Sequence, residues 1–355
     1  MYALRRSTAS FPRLYSTAPP KPPVKLIAEL RKLAEGVSLT KAREALAASN
    51  NDLPAALAWL DADRAASGAA KAAKLAGRVA GQGLVGVQVL SPGARPGASG
   101  SAVRAAMVEL NCETDFVARG ALFNKLLADV AHTAAFLAEP AASRGEGFVR
   151  EVRLDALGDA PLLDHADPVG ASPAGRLSAH ANTVGGAVRD LVAKVGEKIT
   201  LRRAVAVARD PLPYAQRHLG LRAFPYVHGA VTVPTNGTKG ALALLAFRSA
   251  RLPELVASEA FQRELAALER SLGRTIVGFP VTRVGESDGR DAEALYGQPP
   301  DMFVNKTGST VLEELRNWAD RNKLGGEGSG EDAALAVLEF KKWSVGEPLE
   351  STESS

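Results

Sequence analysis

The hydrophobic period of this chain changes between Leu60 and Leu84, from the three-to-four spacing of helices to the alternation of a strand. Before the change, Leu26, Ile27, Leu30 and Leu33 fall on one helical face and Gly36 breaks the pattern. Ser38 then offers an N-cap for a second stripe of Leu39, Ala42 and Leu46. Asp52 can cap a third helix, with Pro54 tolerated in its first turn and Leu53, Ala56, Leu57 and Leu60 along one face. Three short helices with tight connections can bury such stripes only against one another, which predicts a three-helix bundle over 24–64. After the change, Val85, Val87 and Val89 alternate as in a half-buried strand. A Pro/Gly-rich loop at 91–101 leads into the nearly all-apolar stretch 102–110, the pattern of a central strand.

Between bundle and strand, residues 65–82 are rich in Ala, Gly and Lys and read as a basic linker helix. Leu122, Phe123, Leu126, Leu127, Val130 and Leu137 mark a long amphipathic helix. Residues 138–182 carry scattered Pro, Gly and charge and read as a partly ordered insertion. A helix over 186–195 leads through Gly196 into a strand with Ile199, Leu201, Val205 and Val207 on one face. Residues 226–233 and 241–247 predict a hairpin across 234–240, where Asn236-Gly237 is a turn signal. Helices over 252–271 and 310–322, a glycine loop at 325–330 and a strand over 335–343 complete the pattern. Strands and helices mix without regular βαβ alternation, which predicts an α+β fold. Its core divides into subdomains at 83–208 and 209–346, followed by a tail at 347–355.

The formal net charge of the 355 residues is +4, and Arg5, Arg6 and Arg13 supply three of those charges. The rest of the chain is therefore close to neutral, and aromatic residues make up only 5%, which argues against a basic, stacking nucleic-acid surface. The Arg- and Ser-rich start, free of acidic residues before Glu29, has the composition of a mitochondrial or plastid transit peptide, placed over 1–15. Arg13-Leu14-Tyr15-Ser16 resembles a matrix-processing site, so the expected address is the mitochondrial matrix, with a Pro-rich spacer at 16–23. A single cysteine excludes an internal disulfide and a multi-cysteine zinc site, and no apolar run approaches a bilayer span.

Enzymatic constellations are absent: there is no phosphate-loop, dinucleotide, nucleophile-elbow or HExxH motif, and the five histidines lack metal-ligand spacing. No cofactor or metal is expected. Asp164-His165-x-Asp167 reads as a solvated loop. Cys112 sits among Glu109, Glu113 and Asp115, negative charge that would raise its pKa. The unusual segment is Asn111-Cys112-Glu113-Thr114-Asp115-Phe116-Val117-Ala118-Arg119, between an apolar strand and a helix. Either Thr114 or Asp115 caps that helix while Phe116 folds back as a hydrophobic staple, or Phe116 projects as an anchor for a partner.

This segment resembles the central N-C-x-T-D-F-V-A motif of translation elongation factor Ts. The start, with Leu26-Ile27 through Ala45-Leu46, resembles that family's ubiquitin-associated-like helical domain. Gly68 through Arg78 resembles its basic linker, Leu191 through Ile199 with Arg202-Arg203 its middle segment, and Tyr226-Val227-His228-Gly229 a later one. The 293–299 run with Val304-Asn305-Lys306 resembles its C-terminal part. At the second helix the bacterial Met-Met-Asp-Cys is replaced by Leu39-Thr40-Lys41-Ala42. The resemblance implies a guanine nucleotide exchange factor for mitochondrial elongation factor Tu, acting by binding and without bond chemistry, with no direct contact to nucleic acid or membrane. It assigns the partner's Mg²⁺-displacing loop to Thr114, Asp115, Phe116 and Val117. Further partner contacts fall to Leu39, Thr40, His228 and Gly229. A ubiquitin-binding adaptor would share the helical bundle but not the matrix address, and a hydrolase would need a nucleophile–base pair that the sequence lacks.

Overall fold

The computed structural model describes residues 21–34, 37–140, 147–166, 183–285, 291–304, 306–324 and 334–349. The expected transit peptide, the glycine loop at 325–330 and residues 167–182 of the insertion lie outside the described residues, as do parts of the spacer and tail. The chain forms two compact units, Met1–Ser67 and Gly68–Ser355.

The first unit contains α1 (Val24–Leu33), α2 (Leu39–Ala48) and the start of α3 (Leu53–Leu75). The Ser38 hydroxyl accepts from the Lys41 amide at 3.2 Å and Asp52 Oδ1 from the Ala55 amide at 2.7 Å, the two caps the sequence supplies. Asn50 and Asn51 take φ of 50° and 65° in the turn between α2 and α3, a conformation asparagine tolerates. Ile27, Leu30, Ala42, Ala45, Leu46, Ala56 and Leu60 form the bundle core. The third bundle helix and the Ala/Lys-rich segment, separate in the sequence reading, are one 23-residue helix. Strong helix formers run through it and no proline interrupts it after the first turn.

The second unit continues with β1 (Gln82–Pro92), β2 (Val103–Cys112), α4 (Asp115–Arg119), α5 (Ala121–Leu137), β3 (Arg150–Glu151), α6 (Leu154–Asp159), α7 (Val184–Val195) and β4 (Thr200–Arg209). Then follow β5 (Leu219–His228), β6 (Asn236–Gly237), β7 (Lys239–Arg248), α8 (Leu252–Ala257), α9 (Glu259–Gly278), α10 (Val311–Arg321) and β8 (Leu335–Ser344). Two antiparallel sheets result, with strand orders β3-β4-β2-β1-β6 and β5-β7-β8, so the fold is α+β. Ala106, Val108 and Leu110 of β2 pack beneath Phe123, Leu127 and Val130 of α5. The opposite face, with Val85, Val87, Met107, Val205 and Val207, meets Leu242, Leu244 and Trp343 of the second sheet. That sheet's far face, with Ala243, Leu245 and Phe247, is covered by Phe261 and Leu265 of α9 and Leu315 and Trp318 of α10. Both faces of β2 are thus buried, which is why its sequence does not alternate. Gly86 permits the close approach of α5, since a Cβ there would lie 2.7 Å from Leu127 Cγ.

Three expectations are corrected. Asn236-Gly237 is not the hairpin turn, and the hairpin's first strand lies over 219–228 instead of 226–233: β5 pairs with β7, while Asn236 and Gly237 form β6 against Gly86 and Val85 of β1. Ile199 and Leu201 face α5 and α7, opposite Val205 and Val207, because a bulge at Arg202 flips the side-chain alternation. The helix expected over 252–271 is two helices, α8 and α9, divided by the extended Ser258.

Candidate functional site

β2 ends at Cys112 and α4 begins three residues later, so the intervening turn must satisfy the first amides of a very short helix. Thr114 does this as N-cap, its hydroxyl accepting from the Val117 amide at 3.4 Å. Asp115 follows at the positive end of the helix and pairs with Arg119 at 3.1 Å. Val117 and Ala118 turn inward onto the α5 core, which leaves Phe116 outward and 84% exposed. The threonine cap is therefore present and the phenylalanine staple is not.

Thr114 is held from behind. Glu197 Oε1 accepts from the Thr114 hydroxyl at 2.7 Å and Oε2 from the Thr114 amide at 3.1 Å. In return, Glu113 Oε1 accepts from the Lys198 amide at 2.7 Å. Lys198 Nζ donates to the carbonyls of Ala76 and Arg78 at 2.7 and 2.8 Å, and Arg78 pairs with Glu113 at 3.3 Å. Sequence reasoning missed Glu197 because its partner lies 83 residues away. The available signal was Gly196, whose φ of 74° ends α7 in a left-handed cap and redirects the next two residues.

The segment after β5 leans on the end of α4 and the start of α5. The Thr232 hydroxyl donates to the Arg119 carbonyl at 3.1 Å, and Asn236 Nδ2 donates to the Asn124 carbonyl at 2.9 Å. His228 is exposed at the start of this loop. Gly229 has a φ of 74°, and a Cβ there would lie 2.5 Å from Thr238 Oγ1. The structure thus gathers Thr114, Asp115, Phe116 and Val117 on one turn and brings the loop that starts at His228 and Gly229 alongside it. Leu39, 48% exposed, and Thr40 lie in the first turn of α2, in the other unit.

Cys112 has no exposed surface, and burial, followed by the charge of Glu197, pushes its thiol up to about 12. The direction agrees with the sequence reading, but desolvation leads and Glu197 was not among the charges expected. Asp129, Asp164 and His165 form the one group among the described residues with metal-like proximity. Lys125 Nζ lies 2.9 Å from Asp129 Oδ2 and 3.0 Å from Asp164 Oδ2, so an ammonium already bridges the two carboxylates and offsets part of their charge. Asp164 and His165 are accordingly tied to α5 rather than solvated freely, while Asp167 lies outside the described residues. Among the described residues no helix is long and apolar enough to cross a membrane. The arrangement presents an exposed aromatic side chain on a braced support.

The chain is 49% identical over 340 residues to the mitochondrial elongation factor Ts of Coprinopsis cinerea, covering 96% of each chain. It is 47% identical over 353 residues to that of Laccaria bicolor, covering 99% of this chain and 100% of the relative. To mitochondrial elongation factor Ts 2 of Postia placenta it is 46% identical over 351 residues, covering 98% and 99%. No protein-family profile matches the chain.

Proposed function

The chain belongs to the mitochondrial elongation factor Ts family, and from that premise we propose that it releases GDP from mitochondrial elongation factor Tu in the matrix. It does so by binding alone. A partner that prefers the nucleotide-free GTPase must, by reciprocity, weaken nucleotide affinity by the same factor. GDP in such a GTPase is held by contacts to its phosphates and by a bridging Mg²⁺. Phe116 and Asp115 enter near that site and displace the contacts that hold ion and phosphate, with Thr114 and Val117 shaping the turn. Leu39, Thr40, His228 and Gly229 supply further contacts to the partner, and the complex persists until GTP binds.

The observation that carries this reading is Phe116, 84% exposed on a capped helix. Leaving so large an apolar side chain in water forgoes about 2 kcal/mol, which burial in a partner's pocket recovers. The test is stopped-flow release of a fluorescent GDP analogue from mitochondrial elongation factor Tu, comparing residues 16–355 with the Phe116→Ala variant. Acceleration by the parent and little by the variant supports both exchange and the wedge. A folded parent that leaves release unchanged overturns the exchange reading.

A further inference from the structure

We infer that Glu197 is a positioning residue for exchange, holding the 114–117 turn in the shape that meets the partner; this rests on the exchange reading above. An exposed Phe116 contributes no packing that could fix its own turn. The helix beneath it has only five residues, too few to be stable by itself, and its cap bond is long at 3.4 Å. The strongest polar contacts of the turn run instead to one carboxylate, which takes both Thr114 donors at 2.7 and 3.1 Å. Glu197 is itself fixed at the left-handed end of α7. The adjacent Glu113–Lys198 amide bond of 2.7 Å closes a reciprocal clasp, in which each loop's carboxylate satisfies the other loop's backbone. Hydrogen bonds to an ionised group order a turn more firmly than neutral ones, so the clasp pre-forms the surface before the partner arrives.

A residue that pre-forms a binding surface acts on the fraction of competent molecules, and apparent affinity falls with that fraction while the bound state is unchanged. The full chain, with Glu197→Ala and Glu197→Gln, is titrated against mitochondrial elongation factor Tu in the GDP-release assay. The expected result for Glu197→Ala is a half-saturating concentration raised about tenfold with the maximal rate retained. Glu197→Gln, which keeps the size and one acceptor, falls between it and the parent. Amide hydrogen exchange of the free variants should show lost protection confined to residues 113–119. In a double-mutant cycle, Glu197→Ala with Thr114→Val should cost less than the sum of the two single changes, since both remove the bond between the Thr114 hydroxyl and the Glu197 carboxylate. An unchanged half-saturating concentration with unchanged protection at 113–119 overturns the inference. So does a loss of protection spread through β2 and α5, which would make Glu197 a general stabiliser. A parent that fails to accelerate release at all overturns the exchange reading instead, whatever the variants do.

Discussion

Glu109 Oε2 accepts from Arg203 Nε at 2.6 Å inside the second unit, where the glutamate has no exposed surface. Its other oxygen accepts from Arg202 Nη1 and from the Gly346 amide, each at 2.9 Å. Arg203 stacks on Trp343 at 4.4 Å and reaches Glu347 at 2.8 Å. One carboxylate on β2 therefore ties the first sheet to the end of β8 in the second. Removing the carboxylate leaves Arg202 without its acidic partner and Arg203 with Glu347 alone. Glu109→Gln is expected to lower unfolding stability by about 3–5 kcal/mol in denaturant titration. A loss below about 1 kcal/mol would show that the arginines find other partners.

Phe116→Ala removes a side chain that touches little of its own protein, so unfolding stability should stay within about 0.5 kcal/mol of the parent. GDP release should slow by about thirtyfold, the loss of one interface anchor worth about 2 kcal/mol. A stability loss comparable with a core truncation would mean that the ring folds back in solution.

Cys112 should resist thiol reagents in the native state. With its thiol pushed up to about 12, the thiolate is scarce at neutral pH, and no part of the residue is exposed. Labelling with a chromogenic disulfide should therefore follow global unfolding, at the rate that denaturant sets. Rapid stoichiometric labelling of the folded chain would contradict this burial.

Acid should destabilise the fold through His132. Its pKa lies below the ordinary 6.5 because burial disfavours the cation and His165 adds repulsion, against the opposing pull of Asp129 and Asp164. The unfolded chain thus binds this proton more readily than the folded one. The contribution is fully present above pH 6.5 and is lost as pH falls from there through the lower folded value. Tm measured from about pH 7.5 downward should fall more steeply for the parent than for His132→Gln. Parallel curves would remove His132 from the acid response.

Local signals in the sequence were sufficient for most elements, while at the turn they left Phe116 open between a staple and an anchor. The stripes of α1 to α3 and the caps at Ser38 and Asp52 are decided within one or two turns of helix. So is Thr114, which needs only the helix that follows it. What stayed hidden depends on distant chain. Asn236-Gly237 has the chemistry of a tight turn, yet it is drawn into β6 because β1, far upstream, offers an unpaired edge. The bulge at Arg202 lets both neighbouring arginines reach Glu109, a residue that no window around β4 contains. Glu197 acquires its role only when Thr114, 83 residues away, is placed beside it.

The position of β6 also bears on how the chain is made. β1 is the outer main strand of the first sheet, and its bare side is covered only by later residues. Asn236 and Gly237 pair at Gly86 and Val85, the Thr235 carbonyl takes the Val87 amide, and the Leu221 carbonyl takes the Ala94 amide. A nascent chain that has emerged only through β4 already holds the partners of every other strand in that sheet. It still displays a row of open backbone groups along β1, a template for self-association. Synthesis of the second sheet is thus what seals the first, and a fragment stopping at Arg209 should aggregate even though it carries the whole Phe116 turn.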